Sequence, residues 1–98
     1  MESFNSLISS EKLTLIDFYA TWCGPCKMMH PVLEEVKREF RDHVNIFKID
    51  VDKNASLCEG YHVQSVPTLM LFRNGELLWR QSGAVHLNEL LSIIQQFQ

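Results

Sequence analysis

One stretch limits the possible folds of this chain more than any other. Leu13-Thr14-Leu15-Ile16-Asp17-Phe18-Tyr19 reads as a buried strand, and the segment Trp22-Cys23-Gly24-Pro25-Cys26 then leads into an amphipathic helix starting near Pro25. In that helix Met28, Val32, Val36 and Phe40 recur every four residues, and Met29 and Leu33 widen the same face. Glu34, Glu35, Lys37 and Arg38 fall away from it. Pro31 lies inside the pattern and predicts a kink, because it cannot donate to the preceding turn. A strand running straight into a helix is the first half of a parallel crossover. Val44-Asn45-Ile46-Phe47-Lys48-Ile49-Asp50-Val51 supplies the second strand.

The flanking segments complete the pattern. Phe4, Leu7 and Ile8 have helical spacing over residues 2–9, and Leu57, Cys58 and Tyr61 mark a short helix over 54–61. Thr68 to Phe72 and Glu76 to Trp79 read as strands joined by Asn74-Gly75, a strong hairpin signal. Leu87, Leu90, Leu91, Ile94 and Phe97 predict a C-terminal helix, with His86 and Glu89 as half of a capping box. The order is α-β-α-β-α-β-β-α. This implies an α/β fold: one mixed central sheet of four strands, with four helices to cover both of its faces. At 98 residues the chain is expected to be a single domain over 1–98, since smaller pieces could not hold a core.

Composition removes several classes of function. A net charge of −3, without any run of Lys and Arg, excludes the basic patch that nucleic acid or an anionic membrane would need. No apolar run approaches the roughly 18 residues of a membrane span. Met1-Glu2-Ser3-Phe4-Asn5-Ser6 lacks the basic and apolar regions of a secretory leader, so a cytoplasmic location is expected. Three cysteines do not make a disulfide framework, and a C-x-x-C pair in such a chain reads as redox or metal chemistry.

The residues around the pair favour reactivity. A thiol attacks a disulfide only as the thiolate, and a free cysteine has a pKa of about 8.5. Cys23 lies just before the helix, where unsatisfied N–H groups favour an anion. Pro25 suits a first helical turn, and Gly24 keeps the approach clear of a side chain. Cys26, one turn in, is expected to be less exposed. Cys23 is therefore the candidate nucleophile and Cys26 the candidate resolving thiol. Asp17 sits in phase with Leu13 and Leu15 on an apolar strand, where a carboxylate is costly to bury. Raised in pKa, it suits the role of proton acceptor for Cys26, with Lys48 as its charged neighbour.

Taken together, Asp17-Phe18-Tyr19-Ala20-Thr21-Trp22-Cys23-Gly24-Pro25-Cys26-Lys27 resembles the active-site segment of the thioredoxin family. Pro31 resembles the kink proline of its long helix, and Phe47 to Asp52 its middle strand. Val66-Pro67-Thr68 resembles its cis-proline loop, while Asn74-Gly75 and Gly83-Ala84 fit its hairpin and the loop after it. The likeness spans about residues 3 to 97. It implies the thioredoxin fold, a cis bond before Pro67, and a shallow docking surface of Trp22, Gly24, Pro25, Val66, Pro67, Gly83 and Ala84. The Val66 backbone would pair with an extended substrate strand. The resemblance further implies reduction of protein disulfides, a redox-active Cys23–Cys26 disulfide and no bound cofactor. Regeneration would come from NADPH through thioredoxin reductase. The expected state is a monomer that binds neither nucleic acid nor membrane. Two departures stand out. The chain begins about eight residues short of longer members, so four strands are expected, with the middle parallel strand exposed at the edge. Tyr19 replaces a frequent tryptophan.

Two other readings are weighed. Cys58 and His62, at i and i+4, could join Cys23 and Cys26 as a Cys₃His zinc set, although the second half follows unusually late. A non-catalytic binding module on the same scaffold is the other; loss of a cysteine would have favoured it, and both are present. Cys58 alone reads as a small buried apolar residue. His30, His43 and His86 read as surface residues.

Overall fold

The computed structural model describes residues 2–98, and its first element is helix α1, Glu2–Ile8. Strand β1 follows at Leu13–Tyr19 and helix α2 at Gly24–Phe40. After a 3-10 turn come β2, Val44–Asp50, a second 3-10 turn, and α3, Ala55–Gly60. The chain ends with β3, Thr68–Arg73, β4, Glu76–Ser82, and α4, Leu87–Phe97. The described strands form one four-stranded sheet in the order β2-β1-β3-β4. β1 pairs parallel with β2, as the crossover through α2 requires, and antiparallel with β3. β2 therefore lies at the sheet edge, where its residues after Val44 are only half-buried or exposed.

β1 is buried on both faces because its alternating side chains feed two separate cores. Leu13 and Leu15 join Leu69 and Leu71 under α2 and α4, which contribute Met29, Leu33, Val36, Leu90 and Ile94. Ile16 and Phe18 face the other way with Met70 and Phe72, covered by Phe4 and Ile8 of α1 and by Leu57 and Cys58 of α3. The ring of Phe4 meets those of Phe18, Tyr61 and Phe72 at 5.3–6.2 Å between centroids, partly edge to face. Each such fully buried side chain contributes roughly 1.5–3 kcal/mol relative to exposure.

Local chemistry sets the boundaries. At the β3–β4 turn Asn74 and Gly75 both take positive φ, 52° and 81°, as a tight hairpin with the right-handed strand twist demands. Their backbone N–H groups donate to the carbonyls of Ser10 and Ile8, which ties the hairpin to the end of α1 and the loop after it. β2 stops one residue before the expected Val51, because Asp50 Oδ1 accepts the Asp52 N–H at 2.9 Å and starts a 3-10 turn. β4 runs three residues past the expected Trp79, since Gln81 and Ser82 still have partners in Leu69 and Thr68. His86 occupies the N-cap of α4 but makes no side-chain cap bond, so the half capping box is not formed. α2 continues through Pro31 as one helix.

Candidate active site at the Cys23–Cys26 disulfide

The turn between β1 and α2 brings the cysteines together. Cys23 is the N-cap of α2, with extended backbone, and Pro25 fills the first turn, where its missing N–H leaves no bond unmade. The two sulfurs are joined as a disulfide with Cα atoms 5.3 Å apart. Cys23 Sγ also accepts the backbone N–H of Cys26 at 3.1 Å, an N-terminal helix donor aimed at the sulfur. On its other side it lies 3.7 Å from the Val66 carbonyl oxygen.

Val66 precedes the cis peptide bond to Pro67, so the expected cis bond and the expected proximity to the cysteines are both present. Gly83, at φ 91°, donates its N–H to the Pro67 carbonyl at 2.8 Å, which brings the Gly83-Ala84 loop alongside. Trp22 is 69% exposed and lies over the surface as a cover, with its indole N–H donating to Asp52 Oδ2 at 2.8 Å. Trp22, Val51 and Val66 line a shallow recess there with Val63, Gln64 and Ser65. Ala84 borders a separate recess, beside Met28 and Val32 of α2.

Cys26 is the less exposed cysteine, as expected, but by little: both are buried, Cys23 at 4% and Cys26 at 2%. What separates them is the capping position and the Val66 contact, not exposure. Gly24 does not take a positive φ, and a Cβ there would meet nothing within 4 Å. The backbone of the turn therefore does not require glycine, and the space above it is open.

Asp17 is completely buried on the α2 face of β1, and neither carboxylate oxygen has a hydrogen-bond partner among the described residues. Burial pushes its pKa from 3.8 up to about 6, partly offset by the positive charge of Lys48. Lys48 is the β2 partner of Asp17, but its ammonium lies outside the core. It contacts His30 Nδ1 and sits 5.8 Å from the centre of the Tyr19 ring. Three participants were not legible as such in the sequence: His30, Asp52 and Arg80. Arg80 donates to the carbonyls of Tyr61 and His62 at 2.6 and 2.9 Å, which fixes the loop that leads to Val66.

The zinc set does not assemble. Cys58 is packed with Phe4 and Phe72 on the opposite face of the sheet. Among the described residues no three His, Cys, Asp or Glu side chains converge as a metal would require.

A dithiol pair at a helix start, pressed against a cis-proline loop, is the working part of a thiol–disulfide oxidoreductase. The comparisons narrow this class to one family. The thioredoxin family matches residues 1–96, and the chain belongs to it. A thioredoxin-like protein of Synechocystis sp. is 44% identical over 93% of this chain and 87% of its own length. A bifunctional thioredoxin reductase/thioredoxin of Mycobacterium leprae is 47% identical over 83% of this chain, which spans only 18% of that relative. Among solved structures, a mutant thioredoxin from Halobacterium salinarum superposes with a TM-score of 0.90 at 36% identity, covering 99% of this chain and 84% of that one.

Proposed function

We propose that the chain reduces disulfides in other proteins, with Cys23 as nucleophile, Cys26 as resolving thiol and Asp17 as proton acceptor. The observation that carries this reading is the Cys26 N–H aimed at Cys23 Sγ at the N-cap of α2, a donor that favours the Cys23 thiolate once the disulfide is open.

In the first step the Cys23 thiolate attacks one sulfur of the substrate disulfide. An S–S bond forms between Cys23 and substrate, the substrate bond breaks, and the departing thiolate takes up a proton. In the second step Cys26, having given its proton to Asp17, attacks Cys23 Sγ and expels the second substrate thiol. Two electrons and two protons pass to the substrate, and the Cys23–Cys26 disulfide is the oxidised product. A buried carboxyl with a pKa of about 6 is close enough to neutrality to accept and release that proton. Lys48 supplies the opposing charge that keeps this value from rising further.

Trp22, Gly24, Pro25, Val66, Pro67, Gly83 and Ala84 form the docking surface. A substrate strand lying along Val66 brings its sulfur to Cys23, because the Val66 carbonyl is already 3.7 Å from Cys23 Sγ. The reading continues to a monomeric, single-domain, cytoplasmic electron carrier that binds no cofactor and is regenerated from NADPH by thioredoxin reductase. The mycobacterial relative, whose name joins a reductase to a thioredoxin, supports that partner. Among the described residues no helix is long and apolar enough to cross a membrane. Equilibration of the Cys23–Cys26 couple against glutathione tests the reading. A couple more reducing than glutathione is expected; a more oxidising one would assign the chain to disulfide formation instead.

A further inference from the structure

Asp17 and Lys48 present a mismatch. They are direct partners on adjacent parallel strands and so project to the same face of the sheet. A lysine ammonium has three donors and no acceptor, and a buried carboxylate with no other partner is its natural target. Yet both Asp17 oxygens are without a hydrogen bond among the described residues, while Lys48 Nζ contacts His30 Nδ1 beside the face of Tyr19. His30 lies four residues after Cys26 on α2, on the side of the helix that passes β2. For Nδ1 to accept from an ammonium, the ring must be neutral with its proton on Nε2.

We propose that His30 is a positioning residue of the redox centre: its Nδ1 holds the Lys48 ammonium at the sheet edge and keeps it from closing an ion pair with Asp17. The effect is to leave Asp17 as a carboxyl that exchanges its proton in the working range instead of a permanently paired carboxylate. The surroundings offer few competitors. β3 presents Leu69 and Leu71 to this face, and α4 presents Leu90 and Ile94. On β2 itself Asp50 is engaged with the Asp52 N–H. On α2, Lys27 and Glu34 flank His30 by one turn, neither of them buried, and Cys26 is held in the disulfide. On β1 the remaining titratable group is Tyr19, over whose ring the ammonium sits. Among side chains on this face the Lys48 ammonium thus has two partners within reach, His30 at the exposed edge and Asp17 in the core, and His30 holds it at the edge.

The catalytic consequence rests on Asp17 being the proton acceptor; the positioning itself does not, and the test keeps the two apart. The Asp17 carboxyl is titrated by carbon NMR in the oxidised protein, in the wild type and in H30A, H30Q, K48M and H30A/K48M. With His30→Ala the ammonium is released to Asp17, and the midpoint falls by about one pH unit, the lower end of what a direct ion pair does to a carboxyl. His30→Gln, whose side-chain carbonyl also accepts from an ammonium, keeps the midpoint near that of the wild type. In the K48M background the His30→Ala shift disappears. An unmoved midpoint in H30A overturns the proposal, and so does a shift of the same size in H30A/K48M. If the midpoint moves while the pH profile of the resolution step stays put, His30 positions Lys48 as proposed and Asp17 is not the acceptor.

Discussion

Replacing Asp17 by Asn should make the oxidised protein more stable at alkaline pH and leave it nearly unchanged at acid pH. Asp17 is fully buried with both oxygens unpartnered, and burial raises its pKa from 3.8 to about 6 against the opposing charge of Lys48. The unfolded chain therefore releases this proton before the folded one does. Between pH 3.8 and about 6 the folded state holds more protons, so stability is present in full below this window and is lost as pH rises through it. A difference of roughly two pKa units, at 1.36 kcal/mol each, amounts to about 3 kcal/mol above the window. Asn has almost the same shape and no charge, and burial of its amide weighs equally at every pH. Urea unfolding of the oxidised wild type and Asp17→Asn should then give a stability difference that grows by ~3 kcal/mol between about pH 4 and pH 8, in favour of Asn. In a domain of this size that corresponds to a Tm change of roughly 12–24 °C. A difference that is the same at both pH values would show that no buried charge is being relieved, and the assignment of Asp17 would fail with it.

The same substitution should slow resolution of the mixed disulfide more than the initial attack, read by stopped-flow Trp22 fluorescence with a protein disulfide; equal slowing of both steps would count against a proton acceptor for Cys26. Trp22→Ala removes the exposed cover and its bond to Asp52, and should raise KM for protein disulfides severalfold while leaving small aromatic disulfides nearly unaffected. Parallel losses on both substrate classes would place Trp22 in the chemistry, not in docking. Cys23 and Cys58 are both buried, but the Cys26 N–H is aimed at Cys23 Sγ whereas burial raises the pKa of the Cys58 thiol, so in the reduced native protein iodoacetamide should label Cys23 well before Cys58, as mass spectrometry of digests would show. Labelling of Cys58 at a comparable rate would mean that its face opens far more readily than the packing allows.

The parts of the fold that were legible in the sequence are those set by short-range pattern. β1 at 13–19 and α4 at 87–97 match their expected bounds, because an apolar period over seven or more residues leaves little choice of conformation. The Asn74-Gly75 hairpin is equally local, since both residues accept the positive φ that the turn demands. Where the ends were misplaced, long-range pairing decided: Gln81 and Ser82 look like loop until Leu69 and Thr68 lie opposite them. The cysteine pair and the unusual Asp17 stood out from their residue types alone. The cis bond at Pro67 did not, and was expected only through the family likeness. Contacts such as Trp22 with Asp52, Lys48 with His30 and Arg80 with the 61–62 carbonyls join segments 18 to 30 residues apart. Nothing in the spacing of polar residues specifies such pairs, which is why His30 read as mere surface.

The proposed chemistry depends on attack by Cys23 and resolution by Cys26. It is tested most directly by incubating reduced Cys26→Ser and Cys23→Ser variants with a protein disulfide and analysing the products by non-reducing mass spectrometry. A stable mixed disulfide on Cys23 is expected in the Cys26→Ser variant, and neither adduct nor turnover with Cys23→Ser. A trapped adduct on Cys26, or undiminished reduction by Cys23→Ser, would contradict it.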